Sequence, residues 1–569
     1  MRLTLAGPRR RALLAVGLAL CVIGAAGVTA SAGVLPFTDV DPGQAVSAVP
    51  AAQCGPGSLP QTDIDGRIPI TDRTNGRDRQ GYSCNLKLVG HYAEGEGAGW
   101  MNDWYDHCDY YDTLPPGGAS GASSSSSVRV TKPGVQVVDV SDPAHPVRTA
   151  VLDTRAMDSP HESLKVSQKR GLLAADHLSA TGFDIYDVSQ DCAHPKLLAS
   201  IDTDSSITGH EGDFAPDGMT YYGENGGTWA MDVSDPTRPR LITGGLAGGH
   251  GLAVSDDGNT LYTVIASTQV YSPAGGAPLV STESALNGLI VSDVSKIQHR
   301  VPPYTQTVLA QLTWTDGAIA QVPVPFSLNG HPYLAFVDEA GWGNARIIDV
   351  ADRTHPSIVS RLHLAINLLQ NRALSTADGA AGLIQYDGHY CSVPKEVNPD
   401  VLLCAYAWSG VRVFDIRDPL NPKQIAYYIP PAFTGAAAQK LTGSSDQGGG
   451  GSEDNVDRCS SKIRLARDAK GYWDLWVQCQ ENEFQVLRFT NGVFPLTPGY
   501  SVTDRGSMAA TTTSSAPAVP AGAAAAAVSS PNTAAPRRPV PLAWLTIAVG
   551  LALLLVHAAA RRQPERPHP

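Results

Sequence analysis

Six copies of one phrase run through the middle of this chain and leave few architectures open to it. The copies read VVDVSDPAHP (137–146), IYDVSQDCAHP (185–195), AMDVSDPTRP (230–239), IVSDVSKIQHRVP (290–302), IIDVADRTHP (347–356) and VFDIRDPLNP (413–422). The shared aspartate falls at Asp139, Asp187, Asp232, Asp293, Asp349 and Asp415, so successive gaps are 48, 45, 61, 56 and 66 residues. A repeat near ~45 residues with insertions, built from short β-rich runs and Asp/Pro turns, predicts the blades of an all-β propeller.

The cleanest unit is 209–243. It predicts an innermost strand at Glu211–Ala215, a Pro216-Asp217-Gly218 turn and a second strand at Met219–Tyr222. A third strand at Thr228–Val233 follows, and beyond the Asp-Pro loop an outer strand near Arg240–Thr243. Asp-Gly supplies the positive φ and proline presets φ at these turns. The repeated Asp and Ser can bond loop amides and hold the crossing to the outer strand, a structural role.

The same frame gives blades at about 100–159, 160–208, 209–248, 249–319, 320–374 and 388–432. A seventh unit lacks the phrase but has three strands, Lys462–Arg467, Trp473–Gln478 and Phe484–Phe489. Its outer strand can come from Asn85–His91, which closes the ring and removes the exposed edges. A seven-bladed propeller over 84–490 is therefore expected, with six blades plus a cap as the alternative.

The phrases resemble those of the LVIVD-repeat family, exported β-propellers whose third strand ends in I/V-D-V-S-D-P. Six units match over about 135–432, with Lys296 standing where Asp-Pro belongs in the fourth. The resemblance implies a propeller and an exported location, and leaves the reaction open.

The chain ends point the same way. Arg9, Arg10 and Arg11, an apolar run from Ala12 to Val28 and Ala30-Ser31-Ala32 read as a signal peptide over 1–32, with an uncleaved anchor as the alternative. An N-terminal extension occupies 33–83. Beyond the propeller, 491–540 reads as an Ala/Ser/Thr/Pro-rich stalk, and 541–560 as a transmembrane helix of which Leu542–Ala560 is the uncharged core. Arg561 and Arg562 open a cytoplasmic tail over 561–569.

The net charge is −12, and setting aside the four arginines of 1–32 and the net +2 of 561–569 leaves −18 on the rest. A nucleic-acid partner would be repelled. Cys21 lies in the signal segment, and the other eight cysteines are even in number, which suits disulfides outside the cell. Cys391 with Cys404 and Cys459 with Cys479 fit the blade scheme, and Cys54 with Cys84 and Cys108 with Cys192 would complete four bridges. Eight cysteines nevertheless allow about 105 pairings.

Four blades are expected to begin their innermost strand with histidine: His161-Glu162-Ser163, His210-Glu211-Gly212, His250-Gly251-Leu252 and His389-Tyr390-Cys391. Equivalent positions on innermost strands surround the axis, so these imidazoles should converge near one mouth of the channel. Such a ring suits copper or zinc. Glu162 and Glu211 are candidate catalytic groups that could orient ligands or act as a base. Alternatively, each histidine satisfies a backbone carbonyl of the next blade. His107 beside Cys108 is a further candidate member. A looser likeness, of fold, histidines and the Cys54-Gly55-Pro56-Gly57 fragment, joins the chain to the selenium-binding propellers with methanethiol oxidase activity, and implies metal-ligating histidines near the axis.

His145, His194 and His355 precede proline in the loop after the third strand and read as loop polarity. Segment 94–112, rich in Trp, Tyr and Asp, reads as packed first-blade strand, with a sugar- or cation-facing surface as the alternative. The run Gly448–Gly451 lacks the following Lys-Ser/Thr of a phosphate loop.

Two functions follow as expectations. The first is a membrane-anchored extracellular propeller that binds a surface protein, a glycan or a small ligand. The second is a metal-dependent oxidase or hydrolase using His161, His210, His250 and His389.

Overall fold

The repeated phrase ends the third strand of each sheet by local hydrogen bonding. In all six copies the aspartate accepts from the amide two residues on: Asp139 from Ser141 (2.8 Å), Asp187 from Ser189 (2.8 Å), Asp232 from Ser234 (3.0 Å), Asp293 from Ser295 (3.1 Å), Asp349 from Ala351 (2.9 Å) and Asp415 from Arg417 (3.2 Å). This Asx turn offers the backbone an alternative to the ladder and sends the chain toward the outer strand. The strands before it are buried on both faces. In Val135–Asp139, Phe183–Asp187, Thr228–Asp232 and Ala345–Asp349 every residue is buried except the terminal aspartate. Simple alternation is lost because each sheet is covered on both sides by its neighbours.

The computed structural model describes residues 47–502, apart from 95–96, 114–133, 179, 204–206, 225–226, 266–286, 381–383 and 435–453. The described residues form a seven-bladed propeller of antiparallel sheets. Blade 1 runs from Ala98–Tyr105 to Val147–Leu152, blade 2 from Lys165–Ser167 to Lys196–Ile201, and blade 3 from Glu211–Phe214 to Arg240–Leu246. Blade 4 runs from Leu252–Val254 to Thr307–Trp314, blade 5 from Ala318–Leu328 to Ser357–Leu362, and blade 6 from Tyr390–Ser392 to Lys423–Ile429. The first strand of each lies innermost, and those of blades 1 to 6 touch in succession around the axis. Apolar side chains fill the wedges between blades. Phe183 and Ile185 of blade 2, for example, pack with Phe214, Tyr221 and Trp229 of blade 3.

Blade 7 joins the two ends of the propeller. Arg464–Arg467, Trp473–Cys479 and Glu483–Phe489 are completed by Leu86–Tyr92, paired as Leu86 with Phe489 and Tyr92 with Phe484. In every blade the register slips between the third and the outer strand, once in six blades and twice in blade 3, an irregularity that adds twist where each sheet meets the rim. Just before the closing strand, Tyr82–Cys84 pairs with Lys423–Ile429 and gives blade 6 a fifth strand. The extension therefore reaches into the propeller, as its contacts with blades 5 and 6 also show: the Val49 amide donates to the His363 carbonyl, and Arg67 pairs with Asp378 at 2.8 Å.

All eight cysteines of the described residues are bridged, as Cys54–Cys84, Cys108–Cys192, Cys391–Cys404 and Cys459–Cys479. Among the described residues no helix is long and apolar enough to cross a membrane. The expected signal segment, the stalk beyond 502, the membrane span, the tail and the Gly448–Gly451 loop lie outside the described residues.

Between the fifth strand of blade 6 and the closing strand of blade 7 stands Asn85, with φ of 60° and 1 % exposure. Its Nδ2 donates to the carbonyls of Gln53 and Ile425, each at 2.9 Å. Its Oδ1 accepts from the Gly55 amide at 2.9 Å and from Asn491 Nδ2 at 3.0 Å. Asparagine tolerates this left-handed corner better than other residues with a side chain. Asn85→Gly keeps the conformation and loses the bonds, and is expected to cost about 2 kcal/mol in urea unfolding. Asn85→Ala loses both and should cost about 1 kcal/mol more. Equal midpoints for the two variants would show that the left-handed corner carries no strain.

Candidate metal centre on the propeller axis

Six blades each send one side chain to a ring around the axis. His161 and His210 lie with ring centroids 4.6 Å apart, and His210 and His250 likewise at 4.6 Å. Glu339 of blade 5 follows, with one oxygen 3.4 Å from His250 Nε2 and the other 3.2 Å from His389 Nε2. His389 neighbours Trp100 at 5.2 Å, and Trp100 closes the ring on His161 at 6.0 Å. Glu162 sits among them. Its Oε1 is 3.0 Å from His389 Nε2, while its Oε2 is 3.5 Å from His210 Nδ1 and 3.9 Å from His161 Nδ1. Glu224 Oε1 is 3.9 Å from His210 Nδ1. The side chains of His389 and Glu162 are each 1 % exposed, and that of His210, the most open of the four histidines, is 22 % exposed.

Three of the imidazoles are held by the blade that follows. His210 Nδ1 donates to the His250 carbonyl at 3.3 Å, His250 Nδ1 to the Ala320 carbonyl at 2.8 Å, and His389 Nδ1 to the Ser460 carbonyl at 2.7 Å. A carbonyl only accepts, so each bond places a proton on Nδ1. For His250 and His389 this leaves Nε2 toward the carboxylates. Metal-ligating histidines are oriented in this way, by a hydrogen bond from the second ring nitrogen. In His250 and His389 the carbonyl-satisfying role and a ligand role thus use different atoms of the same ring, whereas His210 turns Nδ1 to both the carbonyl and Glu162.

Two backbone positions here are costly. His161 has φ of 52° and His250 φ of 90°, a positive-φ region uncommon for residues other than glycine, although asparagine, aspartate and histidine enter it more readily than the rest. Strain of about 1–3 kcal/mol at such a position persists where the surroundings impose it, and it clusters at functional sites. Immediately before His210, Gly209 passes so near Asp176 that a Cβ would lie 1.0 Å from its Oδ1, so only glycine fits.

Charge within the ring is divided. Burial pushes His161 below the usual imidazole range and His210 well below it, against the pull of Glu162. Burial also opposes charge on His389, but Glu162 and Glu339 outweigh it and raise this group to about 10. His250 is raised by Glu339 and Glu162 against the same burial. For Glu162 burial favours the neutral form, yet His161, His210 and His389 hold it well below the carboxylate range. The ring therefore holds lone-pair donors on one side and a carboxylate–imidazolium cluster on the other.

The donor spacing suits a small ion. Four ligands at about 2.0–2.1 Å from a tetrahedral zinc lie roughly 3.4 Å from one another. The 3.0 and 3.2 Å separations of His389 Nε2 from Glu162 Oε1 and Glu339 Oε2 are near this size, and these three residues can each offer a ligand atom to one ion; His250 meets the other oxygen of Glu339, at 3.4 Å. Two orphaned atoms add to the fit: His161 Nδ1 and Glu162 Oε2 are buried and make no hydrogen bond among the described residues.

The sequence-predicted residues separate into two layers. His161, His210, His250, His389 and Glu162 are brought together. His161 precedes its strand by four residues, since the innermost strand of blade 2 begins at Lys165. Glu211 is elsewhere: its carboxylate pairs with Lys165 and accepts from the Tyr390 hydroxyl, and burial raises it to about 8 despite Lys165. It supports the ring from behind, because Glu211 and Tyr390 directly follow His210 and His389. His107 is half exposed beside Asp106, and its neighbour Cys108 is consumed in a disulfide. Cys54-Gly55 lies at the outer edge of blade 6, bridged to Cys84, and takes no part in the ring. His145, His194 and His355 bond aspartates three residues earlier, at 2.8, 3.1 and 2.9 Å. Segment 94–112 forms the first two strands of blade 1 and contributes Trp100.

Sequence reasoning missed Glu339, Glu224 and Trp100. A signal existed for Glu224, which ends the second strand of its blade and faces the start of the first across the hairpin, where the His210 amide donates to its carbonyl. Glu339 also lies near the end of a second strand, His331–Ala340.

Residues 130–154, which include the third and outer strands of blade 1, match the family model of the LVIVD repeat. No curated protein matches the chain. A seven-bladed propeller with this repeat in its first blade is consistent with an LVIVD-repeat propeller family.

Proposed function

We propose that this chain is an exported, membrane-anchored propeller whose histidine ring holds a divalent transition-metal ion, copper or zinc, and that it is a metal-dependent enzyme of hydrolase or oxidase type. The observation that carries this reading is the orientation of His250 and His389. Each is pinned through Nδ1 to the next blade, with Nε2 set 3.0–3.4 Å from buried carboxylate oxygens. The same contacts form a carboxylate–imidazolium cluster in the metal-free chain, and exchange of the Nε2 proton for an ion turns that cluster into a ligand set. An ion held there supplies Lewis-acid or redox chemistry. The chain's own part is to fix the donors, to keep water out with Trp100 and to offer Glu162 or Glu339 as a proton acceptor.

The binding reading keeps one observation in its favour. A surface cavity of about 760 Å³ opens beside the Asp-Pro loop of blade 6, lined by Arg361, Arg417 and Lys423 with Asp415 and Asp418. A small ligand or peptide carrying both signs of charge suits it. The anchored, exported location rests on the apolar stretch Leu542–Ala560 and on four disulfides, which persist in oxidising compartments.

The full chain purified without chelator or histidine tag is expected to contain at least one equivalent of a first-row transition metal by elemental analysis. Metal at 100 times its dissociation constant should stabilise the fold by about 2.7 kcal/mol, read as a rise in melting temperature that EDTA reverses. A chain that is folded, metal-free and indifferent to EDTA would leave the binding reading.

In the metal-free chain, His389→Ala removes the imidazolium between two buried carboxylates. It should cost about 3–5 kcal/mol in urea unfolding. Adding Glu162→Gln should recover part of that loss, and additive effects of the two changes would argue against the pairing.

Expressed in a bacterium, the full chain should sediment with membranes, and a chain ending at 540 should not. Equal partition of the two would remove the anchor.

A further inference from the structure

The donors around Glu162 fall into two sets, one on each of its oxygens. Facing Oε2 are His161 Nδ1 and His210 Nδ1, the latter also 3.9 Å from Glu224 Oε1. Because His210 Nδ1 carries the proton given to the His250 carbonyl, that ring has its Nε2 to offer an ion. Facing Oε1 is His389, whose Nε2 also meets Glu339, and Glu339 in turn meets His250. His161, Glu162 and His210 can each offer a ligand atom within 4.8 Å of the others, and so can Glu162, Glu339 and His389. Glu162 is common to both groups.

One ion cannot use this inventory. Four imidazoles and three carboxylates exceed the four or five places of a zinc or copper ion. An ion on the His389 side would satisfy Glu162 Oε1 and leave Glu162 Oε2 and His161 Nδ1 as they stand, buried with no hydrogen bond. Orphaned polar atoms of this kind cost free energy, and an ion is one partner that relieves the cost. A second positive centre on the Oε2 side removes both.

Resting on the metal-centre reading above, we propose that the site is dinuclear: two divalent first-row transition ions bridged by the Glu162 carboxylate. One ion is held by His161 and His210 beside Glu224, the other by His250, His389 and Glu339. Bridged pairs of this type place their ions about 3.5–4 Å apart and clamp two oxygens of one reacting group. The ring is therefore built for a substrate that presents two oxygens, or an oxygen and an attacking water, to both ions at once.

The test is stoichiometry. The metal-free full chain is dialysed to equilibrium against Co(II), and bound cobalt is counted together with its electron paramagnetic resonance signal. Two equivalents are expected, with the signal reduced by coupling between neighbouring ions. His161→Ala/His210→Ala and His250→Ala/His389→Ala should each retain one equivalent, uncoupled, in chains whose circular dichroism matches the wild type. One equivalent in the wild type would overturn the dinuclear site and leave the metal-centre reading standing. None would overturn both. Loss of both ions from either folded double variant would show a single shared site and overturn the proposal as well. Where a variant does not fold, the wild-type count and coupling decide.

Discussion

Everything on the axis depends on a pairing made far from it, that of Leu86–Tyr92 with Glu483–Phe489. Six blades in an open arc would present two unpaired sheet edges and an axis open on one side. Adding the N-terminal strand to the last three strands joins the arc into a ring and pairs the edge. The ring of imidazoles needs that closure, because its members come from blades 1 to 6 and its last histidine is held by blade 7 through the Ser460 carbonyl. The chain secures the joint redundantly. Tyr82–Cys84 is paired on the neighbouring blade, Asn85 bonds both chain ends, and the Cys54–Cys84 and Cys459–Cys479 bridges flank the junction.

A closed ring then makes affordable what an isolated sheet could not hold. Burying several charged groups together costs several kcal/mol per ion unless geometry and hydrogen bonds repay it. Around the axis the repayment comes from opposite charges on different blades: His389 against Glu162 and Glu339, Lys165 against Glu211, Lys462 against Asp103 at 3.1 Å. His389 with Glu162 and Lys462 with Asp103 join blades distant in sequence and form only in the closed ring, whereas His389 with Glu339 and Lys165 with Glu211 join consecutive blades. The left-handed backbone at His161 and His250 belongs to the same balance, a local cost carried by the surrounding sheets.

Much of the fold was legible because repetition reports architecture through local chemistry. An Asx turn after an apolar third strand is a short-range device, and six copies of it set the blade frame. The same frame identified the closing strand and placed Cys391 with Cys404 and Cys459 with Cys479, while it left the pairing of the other four cysteines among the open connectivities; the structure contains all four bridges. The fifth strand of blade 6 was not legible, since three residues, Tyr82–Cys84, carry no period. Nor were the rim bulges, which arise from twist rather than from a residue type. At the site, the histidines stood out because they recur at strand starts. Glu339 and Trp100 recur nowhere, and their place in the ring depends on how blades 5 and 1 meet the axis. Such placement is a long-range property.

The two His-Glu pairs show where sequence likeness stops carrying a role. His161-Glu162 and His210-Glu211 are the same dipeptide at nominally equivalent places in consecutive blades, and their glutamates pair through a parallel backbone bridge. Glu162 nevertheless enters the ring, while Glu211 faces Lys165 and Tyr390 behind it. In blade 3 Glu211 opens the strand directly after His210, whose amide already bonds the Glu224 carbonyl across the hairpin, and the near-extended alternation sends the histidine and the glutamate to different neighbours. In blade 2 the strand starts only at Lys165, and His161 adopts φ of 52°, so the dipeptide lies in a turn where alternation does not apply. Both side chains then reach the same centre. A one-element difference in where the strand begins thus turns a supporting carboxylate into a central one, with no change in the residues themselves.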